Sequence, residues 1–298
     1  LTFDQSEAIA KMLDFYEIVV DMFGKFDYKK YFQIDVREKL NFILDASNFI
    51  LGLKDEDGVN GKKRFTFNVT RLSQAFGLVA VGTADGAGSA RAGKFANVTD
   101  KEMRDIRKVE QRTAAELGDY AALIQLDYNS AQIKDMNNED QINDYVEIIK
   151  HYQPSVIYTH NLADKHPTHV AVAKKCIRAI RSLPPDQRPL RLYGCEVWRS
   201  LDWLSDEEKV VFDLTGYEEI LNKLISVYES QIAGGKSYEK ASSGRRIANA
   251  TYAASHSVDQ YESAAYAMDL TPLIEDDSLD PKEFIVSKVK KFIDELLV

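Results

Sequence analysis

The sequence predicts an α/β protein with a Rossmann-like, mostly parallel sheet covered by helices on both faces, and a helical segment in front of it. Three observations predict this class. From about residue 76, short apolar runs alternate with amphipathic stretches of helical length, the signature of βαβ units. Those runs are almost continuously apolar, as strands buried on both faces are. Over the first 50 residues the apolar side chains instead recur at threes and fours, without strand-like runs.

Each element follows from local chemistry. Ile9, Met12, Leu13, Tyr16, Val19, Val20 and Phe23 fall on one helical face behind Asp4 and Ser6 as caps. A second helix over 37–53 meets the polar stop Lys54-Asp55-Glu56-Asp57-Gly58. These define an N-terminal helical segment, residues 1–75, and an α/β domain, residues 76–298. Residues 77–82 read as a buried strand that runs into a Gly- and Ala-rich loop. Residues 99–117 read as a helix with Thr99 as cap and Glu102 three residues on, a capping box. Strand 121–126, helix 139–151, strand 155–159 and helix 166–181 follow, then strands 190–197 and 210–214. Helices over 218–232, 238–266 and 282–297 complete the pattern, which holds no internal repeat.

Composition bounds the function. The chain has 298 residues, 45% hydrophobic and 29% charged, which suits a globular protein with a sizeable core. Its 38 basic and 47 acidic residues leave a net charge of −9, against the concentrated basic surface that a general nucleic-acid binder needs. Two cysteines, Cys176 and Cys195, make no disulfide framework and no Cys-x-x-Cys; they are expected in the core, on a helix and a strand. With no signal-peptide pattern and no long apolar run, the expected location is the cytoplasm, free of membrane partners. The Asn-x-Thr triplets at Asn68, Asn97 and Asn249 then carry no glycan. Oligomeric state stays open, a homo-oligomer included.

In a parallel sheet the ligand crevice lies beyond the carboxyl ends of the strands, so the loops there are the place to look. The first, Thr83-Ala84-Asp85-Gly86-Ala87-Gly88-Ser89-Ala90-Arg91, lets backbone approach a ligand, with Asp85 and Arg91 as polar contacts. The same residues also suit a plain tight turn. The richest loop is Tyr158-Thr159-His160-Asn161-Leu162-Ala163-Asp164-Lys165-His166-Pro167-Thr168-His169. Pro167 suits the first helical position, which makes His166 the cap and puts His169 in the first turn. The positive end of the helix dipole keeps His169 neutral and able to ligate a metal, while Asp164 can orient a ring. Hydrogen-bonded loop and cap histidines are the plainer account of the same residues.

The segment Pro154 to Ala173, with Thr-His and His-x-x-His, resembles the third motif of the LmbE-like (PIG-L) superfamily of zinc-dependent N-deacetylases. Thr83-Ala84-Asp85-Gly86-Ala87-Gly88-Ser89 is similar to that family's Thr-Asp-Gly-x-x-Gly-Ser loop. Arg107-Lys108-Val109-Glu110, with Ala114 to Gly118, is similar to its Arg-x-x-Glu helix, and Leu126-Asp127 sits at its Leu-Asp strand end. The resemblance spans about residues 76–275. It implies a zinc-dependent hydrolase that removes an acetyl group from an N-acetylated amino sugar or similar small molecule. It further implies His169 as a zinc ligand, His166 as the catalytic group stabilising the oxyanion, and His256 near the substrate. The family's first motif, His-x-Asp-Asp, has no counterpart, since no histidine precedes residue 151. Asp55 as base and Asp57 as ligand are the nearest acids. The motif has either fallen outside the sequence, been lost to leave a non-catalytic protein binding a sugar-like or anionic ligand, or been replaced by a set such as His160, Asp164 and His169. A third reading takes the Gly-rich loop as a nucleotide or methyl-donor cradle with Asp127 gripping a ribose.

Overall fold

The computed structural model describes residues 78–88 and 91–297. The chain divides into Leu1–Asn68 and Val69–Val298, and every described residue belongs to the second unit. The helices expected over the first 53 residues, and with them Asp55 and Asp57, lie outside the described residues.

The described chain alternates as its patterning requires. Strand β1 (Val79–Ala84) leads through α1 (Asp100–Leu117) to β2 (Ala122–Tyr128), which pairs with it in parallel. The α1 start is the expected capping box: the Glu102 N–H donates to Thr99 Oγ1 at 3.3 Å, and the Thr99 N–H donates to Glu102 Oε2 at 2.7 Å. Helices α2 (Ser130–Lys134) and α3 (Asp140–Tyr152) precede β3 (Val156–His160), and α4 (Pro167–Arg181) carries the chain to β4 (Arg191–Cys195), parallel to β3. Then come β5 (Lys209–Asp213), α5 (Glu218–Ser226), α6 (Glu229–Ile232), α7 (Tyr238–Thr251), β6 (Ala264–Asp269), α8 (Pro272–Glu275) and α9 (Pro281–Leu296). The described strands form a β1-β2 pair and a four-stranded sheet ordered β3-β4-β6-β5.

The α/β class holds, with β6 antiparallel to both β4 and β5. One expected helix is corrected: the stretch 238–266 stops at Thr251, and Ala264–Asp269 is a strand. Ala-Ala-Tyr-Ala-Met suits a helix by propensity, but between β4 and β5 its backbone finds ladder partners on both sides, and most of its side chains are buried. The helix expected over 218–232 is two, broken at Tyr228. There the phenol donates to Gln111 Oε1 at 3.0 Å and the ring lies under the Arg107 guanidinium, contacts to α1 that a continuous helix would not supply.

The core lies between α4 and the larger sheet, where Ala173, Ile177 and Ile180 meet Leu192, Met268, Leu270 and Leu273, all at most 1% exposed. Burying each such leucine, isoleucine or methionine side chain contributes about 1.5–3 kcal/mol. The same helix sinks Lys175 completely; its ammonium donates to the Gln132 carbonyl at 3.1 Å and to Gln141 Oε1 at 3.0 Å. Gln141 Nε2 donates to the Tyr145 hydroxyl, which shares a 2.6 Å hydrogen bond with Thr83 Oγ1 at the end of β1. This chain of polar contacts ties the end of β1 to the helix that starts at the histidine-rich loop.

Candidate functional site

The parallel register sets His160, the last residue of β3, opposite Cys195, the last of β4. The loop leaving His160 folds back over the end of β4, and hydrogen bonds hold it there. The Asn161 N–H and Nδ2 both donate to the Cys195 carbonyl, at 3.1 and 3.0 Å, and the Ala163 N–H donates to Asn161 Oδ1. The approach is close enough to need a glycine beneath it: a Cβ on Gly194 would sit 2.9 Å from Asn161 Cα and 2.9 Å from Leu270 Cδ1.

At the loop's end His166 is the N-cap of α4, with Pro167 at the first helical position, as the sequence implies. Asp164 organises the turn. Its side chain is fully buried; Oδ1 accepts the His166 N–H at 3.0 Å and Oδ2 accepts the Trp198 N–H at 3.2 Å, with His169 Nδ1 at 3.5 Å. Burial works to raise this carboxyl, but the two backbone N–H bonds and the neighbouring His169 outweigh it and hold it below the usual carboxylate range. The His160 and His169 rings stack with centroids 3.8 Å apart, and His166 lies 4.7 Å from His169. Burial, and then the neighbouring His169, push His160 down to about 4; burial lowers His169 as well, against the pull of Asp164. Both rings are therefore neutral at pH 7, with lone pairs available.

One nitrogen from each of His160 and His169 and one Asp164 oxygen lie within 4.8 Å of one another. Two neutral imidazoles and an ionised carboxylate are a donor set that Zn2+ takes, so these residues fit a divalent metal.

The other expected residues sit elsewhere. Asp85 is buried, accepting the Ala87 N–H at 3.0 Å and pairing with Arg104 at 3.5 Å. Gly86, at φ 72°, packs against the Arg107 stem. Arg91 donates to the carbonyls of Ala87 and Val98 and to Asp100 Oδ1 at 2.8 Å, closing its own loop. Asp127 pairs with Lys108, and His256 is on the exposed loop after α7. Arg246 is buried in a two-pronged bond to Glu218, at 3.1 Å for each prong. Glu196, at the strand's ligand edge in sequence, accepts from the Leu201 and Tyr266 N–H groups. Cys176 and Cys195 are both free, and burial pushes each thiol up to about 12.

The residue that sequence reasoning passed over is Trp198. Its ring is 6.3 Å from His166 and meets Tyr238 edge-on at 6.1 Å. The signal was its position just past the carboxyl end of β4, level with the histidine loop.

Residues 1–125 match the C-terminal region of the Type I restriction enzyme HindI endonuclease subunit-like family. No curated protein matches the sequence. Among solved structures, the N,N'-diacetylchitobiose deacetylase of Pyrococcus horikoshii superposes with a TM-score of 0.53 at 15% identity, over 70% of this chain and 78% of its own. The 4-carboxy-2-hydroxymuconate hydratase of Pseudomonas putida gives 0.48 at 17% identity, over 65% and 84%. A deacetylase of teicoplanin biosynthesis gives 0.42 at 12%, over 67% and 90%. The chain shares the fold of the first of these. Among the described residues, no helix is long and apolar enough to cross a membrane.

Proposed function

We propose that the protein is a zinc-dependent hydrolase that removes an N-acyl group, acetyl foremost, from an amino sugar or similar small molecule. The observation that carries this reading is the convergence of His160, His169 and buried Asp164 within 4.8 Å at the carboxyl end of β3, with His166 beside them. The same fold serves a diacetylchitobiose deacetylase in Pyrococcus horikoshii, which supports the reaction class.

Zn2+ bound there would bring a water's pKa towards about 7 and polarise the amide carbonyl. His160 and His169 would hold it through ring nitrogens and Asp164 through a carboxylate oxygen. The Asp164 bonds to the His166 and Trp198 N–H groups keep the loop fixed while the ligands engage. Water oxygen adds to the carbonyl carbon, the C–N bond breaks, and the amine leaves with a proton. His166, exposed at the helix cap, donates a ring N–H to the oxyanion, a contact worth about 3 kcal/mol in comparable sites. His256 contacts substrate. A reducing cytoplasm suits the two free thiols.

The test is metal content alongside acetate release from N-acetylated sugars. Protein purified without a histidine tag is expected to carry stoichiometric zinc and release acetate. His169→Ala should lose the metal and at least about 100-fold in rate. Wild-type protein that takes up no zinc and releases no acetate overturns the proposal.

A further inference from the structure

We propose that Trp198 and the basic side chains around it form a subsite for a ring bearing a carboxylate or phosphate, so that the substrate is an anionic amino sugar. This rests on the hydrolase reading for the chemistry, though not for the binding.

Trp198 is 38% exposed, and its setting is rigid. Its N–H is held by Asp164 Oδ2 at 3.2 Å, and its indole is braced edge-on by Tyr238. The large apolar face beside His166 matches what the apolar face of a pyranose stacks upon.

Basic side chains gather around it in a chain of net negative charge. Lys236, exposed, has its ammonium 5.7 Å from the Trp198 ring centre. Arg199 donates to the Ala163 carbonyl at 2.6 Å, and Arg245 donates to the Val197 carbonyl. Each bond uses one of a guanidinium's five N–H donors. Lys165 is exposed between Asp164 and His166. Of the acids on the same loops, Asp164 is buried under backbone N–H groups and Glu196 accepts from Asn249 and two backbone N–H groups, while Asp202 is exposed. Three cations, Lys236 over the ring and Arg199 and Arg245 beside its backbone, thus border a stacking surface in a chain of net charge −9. A carboxylate or phosphate is the group that such lysines and arginines bind.

Tryptophan fluorescence tests this, because the chain has two tryptophans and the other, Trp203, packs against the core. The probes are N-acetylglucosamine, its 6-phosphate, N-acetylmuramic acid and inorganic phosphate. Either anionic sugar should quench emission and bind roughly tenfold more tightly than the neutral sugar, and the better of the two identifies the anion. Lys236→Glu should erase that preference. Trp198→Ala should weaken every sugar by roughly tenfold, with Trp198→Phe restoring most of the loss. Equal affinity for anionic and neutral sugars, no binding of any sugar, or phosphate binding as tightly as the sugar phosphate overturns the inference. Acetate release followed in parallel separates the two claims. Release without anionic preference removes the subsite and leaves the hydrolase; preference without release does the reverse.

Discussion

Asp164 shows how much one side chain decides. It has no exposed surface, yet its two oxygens hold the backbone of His166 and of Trp198 and lie against His169. Replacing it with Asn turns one acceptor into a donor that faces an N–H. Asp164→Asn is therefore expected to cost about 1–3 kcal/mol of stability, measured by urea denaturation, and to lower any hydrolysis more than Asn does at an exposed acid such as Asp202. Equal stability of the two variants would remove Asp164 from its organising role. The sequence placed Asp164, His166 and His169 in one turn because Pro167 fixes the helix start. It could not place Trp198, which is 34 residues from Asp164 and reaches it only through strand pairing.

Among elements, the unit that matters is β3, its loop and α4. The loop lies on β4 only because Gly194 leaves room for Asn161. Gly194→Ala should force the loop outwards and cost roughly 1–3 kcal/mol, with the His169 metal affinity falling alongside; a neutral effect would show that the loop has slack. Among the described residues, the strands and helices up to β5 were legible within a few residues from their periods and turn residues, except the short α2, which was not expected. The strand β6 was not. Its alanines and methionine carry a helical propensity that only the ladders with β4 and β5 override.

For the whole molecule, the buried histidines couple stability to pH. His160 is pushed down to about 4 from 6.5, so between those values the unfolded chain binds a proton that the folded one refuses. Stability is complete above pH 6.5 and falls as pH drops towards 4, by about 1.4 kcal/mol per pH unit for this group. His169, shifted the same way, steepens the fall. Urea denaturation of chelator-treated protein between pH 7 and 4 should show this loss, and His160→Gln should flatten it. An unchanged slope in the variant would mean that His160 is solvated in the folded state.

The sequence by itself determined the α/β class, the cap at His166, the neutral state expected of His169 and the gathering of histidines at one strand end. All of these are local, set by hydrophobic period, a proline and spacing over about ten residues. The tertiary structure alone decided that His160 stacks on His169, that Arg91 closes its own loop, that Arg246 is buried against Glu218 and that Trp198 stands beside His166. The last two join groups brought together by strand register and helix packing across 28 and more residues, and the first two depend on how a short loop folds back, which residue spacing alone does not fix.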